Sequence, residues 1–167
     1  MRKLLDGLYA VSGWLAGLSM IGVLAMVLLT ILSRLFAFAA PGTDAYAGYA
    51  MAGAGFLALA STLKKGEHVR VTLVLGMLEG KARKALELAA LSVAVLLSGF
   101  LAFYSARLVW QSLEYEDISV GIDATPLWIP QLVMALGTLI FFIAFADEFV
   151  LEILGKRAAR TEESHHE

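Results

Sequence analysis

Four long stretches of this 167-residue chain contain no charged residue: those between Asp6 and Arg34, Asp44 and Lys64, Glu87 and Arg107, and Asp123 and Asp147. They hold 27, 19, 19 and 23 residues. A hydrocarbon core about 30 Å thick takes roughly 20 mostly apolar residues of helix to cross, and lipid offers no partner to backbone groups that a helix or a closed barrel leaves unpaired. Each stretch is long enough for one crossing, and together they occupy more than half of the chain, leaving too little for a soluble domain. The expectation is an all-α integral membrane protein with four transmembrane helices at about 8–33, 46–63, 86–108 and 127–151. These form a single domain over 1–154, followed by a polar tail over 155–167.

Proline agrees with that layout. Pro41 falls in the first loop, and Pro126 and Pro130 fall at the start of helix 4, where a missing N–H costs least. Arg2 and Lys3 ahead of an apolar run resemble a signal peptide, with Ala37-Phe38-Ala39 as a small-residue cleavage site. A signal core has only about 7–15 apolar residues, however, and here a full span ends at Arg34 before those alanines. Helix 1 is therefore expected to be retained.

Lysine and arginine set the expected orientation, because cytoplasmic flanks carry their excess. The N-terminal segment, the loop between helices 2 and 3 and the C-terminal tail hold eleven of the 13 basic residues; the other two loops have only Arg34 and Arg107. Both termini are thus expected in the cytoplasm. Tyr46, Tyr49, Trp110, Tyr115 and Trp128 would then sit near the outer interface as amphipathic anchors, with Tyr9 and Trp14 marking the inner one. In the middle loop, Val71, Leu75, Leu78 and Ala82 fall at helical spacing, which predicts a short interfacial helix between helices 2 and 3.

Nothing in the pattern points to catalysis or to a bound cofactor. A charge at membrane depth is costly and usually functional, and the four stretches hold none. The hydroxyls there, among them Ser12, Ser19, Thr30, Ser98, Ser105 and Thr138, lack an acid or histidine partner in sequence, so they are expected to bond to helix backbone or pack between helices. With no cysteine and three histidines, two of them adjacent in the tail, thiolate metal sites and paired haem ligands are excluded. No metal, no cofactor and no nucleic-acid partner is expected. Gly13 and Gly17 on helix 1, with Gly48, Ala52 and Gly55 on helix 2, let neighbouring helices approach closely, as in a subunit that packs against something larger.

One stretch narrows the class to a family. Gly53-Ala54-Gly55-Phe56-Leu57 leads through Lys64 and Lys65 into Gly66-Glu67-His68-Val69-Arg70-Val71, and helix 4 opens with Pro126-Leu127-Trp128-Ile129-Pro130 ahead of Ala135-Leu136-Gly137. This resembles the small, Q-type membrane subunit of tripartite ATP-independent periplasmic (TRAP) transporters, in which a small-residue second helix precedes a Gly-x-His-hydrophobic-Arg-Val element. Asp44 with Tyr46, and Thr72, stand where that family often has a Trp with an acid and an Asp.

The resemblance implies a small scaffold subunit of a sodium-driven secondary transporter in the bacterial inner membrane. Its partners would be a large multi-spanning transport subunit, a periplasmic substrate-binding protein and membrane lipids, and the cargo would be carboxylate-type solutes. Gly66, His68 and Arg70 would supply the family motif and interfacial contacts. Glu114, Glu116, Asp117 and Asp123, with Arg107, would form a candidate periplasmic docking surface in which charge guides a soluble partner. The alternative is a site-poor anchor subunit of a membrane redox complex.

Overall fold

The computed structural model describes residues 2–64 and 81–154, with side chains over 5–64 and 84–154. Among them are four helices: α1 (Arg2–Leu35), α2 (Thr43–Lys64), α3 (Lys81–Glu114) and α4 (Trp128–Ile153). Each is long and apolar enough to cross a membrane. The expected interfacial helix between helices 2 and 3, and the tail over 155–167, lie outside the described residues.

Two helices outrun their charge-free windows. α1 and α3 each have 34 residues, or about 51 Å at 1.5 Å per residue, against a core of about 30 Å. Charge marks where hydrocarbon ends, and a helix continues into the interface until its backbone is stopped. Both are stopped in the same way. The Phe38 N–H reaches the Ser33 carbonyl at 3.1 Å, and the Asp117 N–H reaches the Ser112 carbonyl at 3.1 Å, each around a left-handed residue, Ala37 (φ 53) or Glu116 (φ 50). This is the six-to-one closure that satisfies terminal carbonyls, built here without the usual glycine.

The helices lie in the order α1, α2, α4, α3. α1 touches α4 only marginally and does not meet α3 among the described residues, so the chain is an open row and not a closed bundle. α1 and α2 are antiparallel, Gly13 lying against Ser61 and Gly22 against Ala50. α3 and α4 form a second antiparallel hairpin, with Gly99 against Phe142. The hairpins meet through α2 and α4, which run parallel, Gly53 against Val133 and Lys64 beside Asp147.

The seams are polar and small, and the outer faces are large and apolar. On α1, Tyr9, Ser12, Ala16, Ser19, Val23, Met26, Thr30 and Ser33 recur at alternating steps of three and four and are buried or half-buried. Leu15, Leu18, Ile21, Leu24, Leu28 and Ile31 between them are exposed. On α3 the buried positions Leu91, Ser98, Ser105 and Ser112 are seven apart. A seven-residue repeat keeps one narrow stripe facing a neighbouring helix. Lipid is as apolar as leucine, so what favours helix contact here is close backbone approach and hydrogen bonding by small residues.

The hydroxyls behave as expected of that chemistry. Ser19, Ser92, Ser98 and Thr138 donate to carbonyls of their own helices, and Ser12 crosses from α1 to the Leu57 carbonyl of α2. The small residues of α2 are consumed largely within the chain, because α2 lies between α1 and α4. A Cβ on Gly53 would stand 3.2 Å from Val133 Cγ1 and 3.6 Å from Ser19 Oγ. Gly7 and Gly17 on α1 and Gly48 and Gly55 on α2 keep open space beside them.

Candidate functional site

Polar side chains gather at the two ends of the row. At one end α2 finishes in Lys64, and its Nζ lies 2.9 Å from Asp147 Oδ2 on α4 and 3.8 Å from Asp6 Oδ1 on α1. The same ammonium stands 4.9 Å from the centroid of the Tyr9 ring. Tyr9 is buried with Ala60 and Ala144 in a small core that Leu5, Leu63 and Ile140 flank. It is a packing residue under the ion pair, not the membrane-surface anchor its position in the sequence suggests. Asp6, Lys64 and Asp147 thus bring three helices into one polar cluster, and Glu148 and Glu152 on the last turns of α4 are also buried. Between α1 and α2 this end opens into a groove of about 560 Å³.

At the other end, residues 115–127 fold back on themselves. The Leu127 N–H donates to the Asp117 carbonyl at 3.0 Å and the Ser119 N–H to the Thr125 carbonyl at 2.9 Å, around an antiparallel bridge of Ile118 with Pro126. Asp123 ties this loop to α2: Tyr49 donates to its Oδ2 at 3.0 Å and Ser119 to its Oδ1 at 2.9 Å. Burial raises the Asp123 carboxyl, but hydrogen bonds from Thr125, Ser119 and Tyr49 outweigh it and hold the group below its ordinary value. Tyr46 packs edge-on to Tyr49 at 6.1 Å, and its hydroxyl is 3.3 Å from Thr125 Oγ1. Gly42, at φ 82, lies so near that a Cβ there would be 3.0 Å from Asp123 Cβ.

The acids singled out in the sequence therefore separate. Glu114, Glu116 and Asp117 are exposed, Glu114 as the last residue of α3 and Glu116 as its left-handed terminator. Asp123 is half-buried and engaged by the loop itself. Arg107 is exposed on α3 and makes no ion pair among the described residues. Gly66, His68 and Arg70 lie outside the described residues. Two features escaped the sequence reading. One is the Asp6–Lys64–Asp147 cluster, whose members lie in three separate segments. The other is the loop tip, where Val120 and Ile122 are almost wholly exposed.

Among the described residues no group of three His, Asp or Glu side chains is placed to hold a metal ion. No curated protein matches the chain. The family model for the tripartite ATP-independent periplasmic transporters, DctQ component, matches residues 23–155, a span that takes in the C-terminal part of α1, all of α2, α3 and α4, and the loop over 115–127. Four helices able to cross a membrane and a match over most of the length make this a multi-pass membrane protein and one component of a tripartite transporter: the chain belongs to the DctQ component family of TRAP transporters.

Proposed function

We propose that the chain is the small scaffold subunit of a sodium-driven TRAP transporter in the bacterial inner membrane, with both termini in the cytoplasm. It packs against the large multi-spanning transport subunit and helps to dock the periplasmic substrate-binding protein, for uptake of carboxylate-type solutes. The observation that carries the scaffold reading is the open row: α1 and α3 are edge helices whose seams are narrow and whose remaining faces, including Leu18, Ile21 and Leu24 on one and Leu96, Leu97 and Phe100 on the other, are apolar and exposed. Such faces suit a larger membrane protein. The orientation rests on the basic residues, and the motif residues Gly66, His68 and Arg70 would lie on the cytoplasmic side.

The docking reading draws on the loop over 115–127. Glu114, Glu116 and Asp117 put exposed negative charge beside an apolar tip of Val120 and Ile122, the combination of polar rim and apolar centre found in protein interfaces. Asp123 keeps the loop in shape and Arg107 flanks it. Co-purification tests the reading. The chain should elute in a fixed ratio with a larger membrane protein, and proteoliposomes lacking it should lose binding-protein-dependent, sodium-driven uptake. A monodisperse chain alone, with uptake unchanged in its absence, would refute the scaffold role.

A further inference from the structure

We propose that Arg107 lies within the hydrocarbon layer, on the open edge of α3, and pairs there with a carboxylate on a transmembrane helix of the large transport subunit. The inference rests on the scaffold reading and holds whichever way the chain faces.

Depth follows from the two central helices. α2 rises about 30 Å from Asp44 to Lys64, and α4 rises about 28 Å from Trp128 to Asp147, each close to the thickness of a hydrocarbon core of about 30 Å. They are parallel and joined where Lys64 meets Asp147, so one layer fits both. α3 is tied to that frame twice. The Leu127 N–H donates to the Asp117 carbonyl at 3.0 Å, just beyond the end of α3. Gly99 lies against Phe142, and from that level equal rises of about 21 Å lead to Leu113 on α3 and Trp128 on α4. Glu114 therefore stands at the limit of the layer, and Arg107, two turns earlier, lies about 10 Å inside it. On α3 the charge-free stretch ends before the hydrocarbon does. A layer shifted far enough to release Arg107 would take in Asp6, Lys64 and Asp147, exchanging one costly charge for three.

The arginine faces away from the rest of the chain. It is exposed and makes no ion pair among the described residues, and α3 packs on α4 alone among the described helices. A Cα–Cβ bond tilts toward the N-terminus of its helix, which on α3 points away from the nearer membrane surface, so the side chain sets out away from water and headgroups. A lipid phosphate would stand about 10 Å beyond it along α3, whereas a carboxylate on a neighbouring helix can stand at its own depth. The surroundings suit a protein partner. Phe100, Phe103, Tyr104 and Trp110 share the face of Arg107, and each is more than half exposed. Arginine among aromatic residues is the composition that dominates binding energy at interfaces, while the α1 edge presents Leu18, Ile21 and Leu24.

The test uses the full-length chain co-expressed and purified with the large subunit in mild detergent. Arg107→Leu should weaken retention of the large subunit about tenfold or more, because it strands a carboxylate in hydrocarbon. Melting of the purified chain should not change, since leucine suits a lipid-facing position. Arg107→Lys should keep most of the retention. Phe103→p-benzoylphenylalanine, irradiated in the membrane, should cross-link to the large subunit. Retention by Arg107→Leu equal to that of the unmodified chain overturns the proposal, as does a loss in Arg107→Lys as severe as in Arg107→Leu. A photoproduct at position 103 with lipid alone also overturns it, and is the outcome expected if a headgroup phosphate held the arginine. If Arg107→Leu fails to fold, the photoproduct decides. If the unmodified chain holds no large subunit, it is the scaffold reading that fails.

Discussion

Lys64 Nζ lies 2.9 Å from Asp147 Oδ2, joining the last turn of α2 to the last two turns of α4. The two helices are parallel, so their negative dipole ends lie side by side. A cation at the end of α2 suits that field, whereas Asp147, Glu148 and Glu152 near the end of α4 oppose it. Lys64 thus offsets the Asp147 carboxylate at an acidic helix end where the two hairpins meet.

Removing one partner should therefore cost more than removing both. Each side chain is about a fifth exposed, which places the pair between surface pairs, worth about 0–1 kcal/mol, and buried ones, whose breakage costs about 3–5. Lys64→Met is expected to destabilise the fold by about 2 kcal/mol. Adding Asp147→Leu should recover most of that loss. Thermal unfolding of the two single variants and the double variant, read as a cycle, measures the coupling; additive losses would mean that the pair does not join the hairpins.

Close packing of the same two helices is tested at Gly137. A Cβ there would stand 2.7 Å from both the carbonyl carbon and the oxygen of Phe56, which are backbone atoms and move only with the whole helix. Gly137→Ala should cost about 1–3 kcal/mol, the usual penalty of overpacking. Gly55→Ala, with nothing within 4 Å, should be neutral or gain up to about 1 kcal/mol of helix propensity. Equal melting shifts for the two would contradict the α2–α4 contact.

How much of this was legible in sequence depends on distance along the chain. The four spans were legible because charge avoidance acts over whole helices. The α1 seam was present as Ser12, Ser19 and Ser33 on a seven-residue grid, as was that of α3 in Ser98, Ser105 and Ser112, but hydroxyls considered one by one reveal no register. Glycine spacing drew attention to Gly17, where an added Cβ would meet nothing within 4 Å, and away from Gly137, where it would run into the Phe56 backbone. The Lys64–Asp147 pair spans 83 positions and Tyr49–Asp123 spans 74; neither has a local signature. Glu114, Glu116, Asp117 and Asp123 look alike as a run of acids, and only tertiary hydrogen bonds single out Asp123.

That difference has a pH signature. The Asp123 carboxyl is held below its ordinary value of 3.8, so its contribution to the loop is present above that value and is lost as pH falls through the lower folded one. Hydrogen exchange over 115–127, corrected for its intrinsic pH dependence, should show protection that collapses below about pH 4 in the unmodified chain. In Asp123→Asn protection should be weaker at neutral pH and should change little on acidification. Tyr49→Phe should fall between them. An unmodified loop whose protection does not change on acidification would remove Asp123 from its structural role.

Orientation is open to direct test. With both termini in the cytoplasm, a reporter fused after Glu116 should register outside the membrane and one fused after Lys84 inside it. The opposite pattern would place the loop over 115–127 in the cytoplasm, out of reach of any periplasmic protein.

Docking, if it uses this loop, should divide between charge and apolar contact. Exposed charges are screened over about 8 Å at physiological salt and act mainly on encounter rates, so the amides Glu114→Gln, Glu116→Gln and Asp117→Asn together should slow association with the binding protein several-fold at low salt. The effect should vanish at high salt. Glu116→Gly serves as a conformational control, because it removes one charge but relieves a left-handed residue, worth about 1 kcal/mol, and should stabilise the end of α3. Val120 and Ile122 are exposed and unsupported, so Val120→Ser with Ile122→Ser should leave the melting temperature unchanged. It should instead speed dissociation at every salt concentration, since apolar contact at an interface centre governs residence time. Surface-capture kinetics on the assembled membrane complex separates the two. If association and dissociation are unaffected by both sets, the loop is only a cap on the α3–α4 hairpin, and the binding protein docks elsewhere.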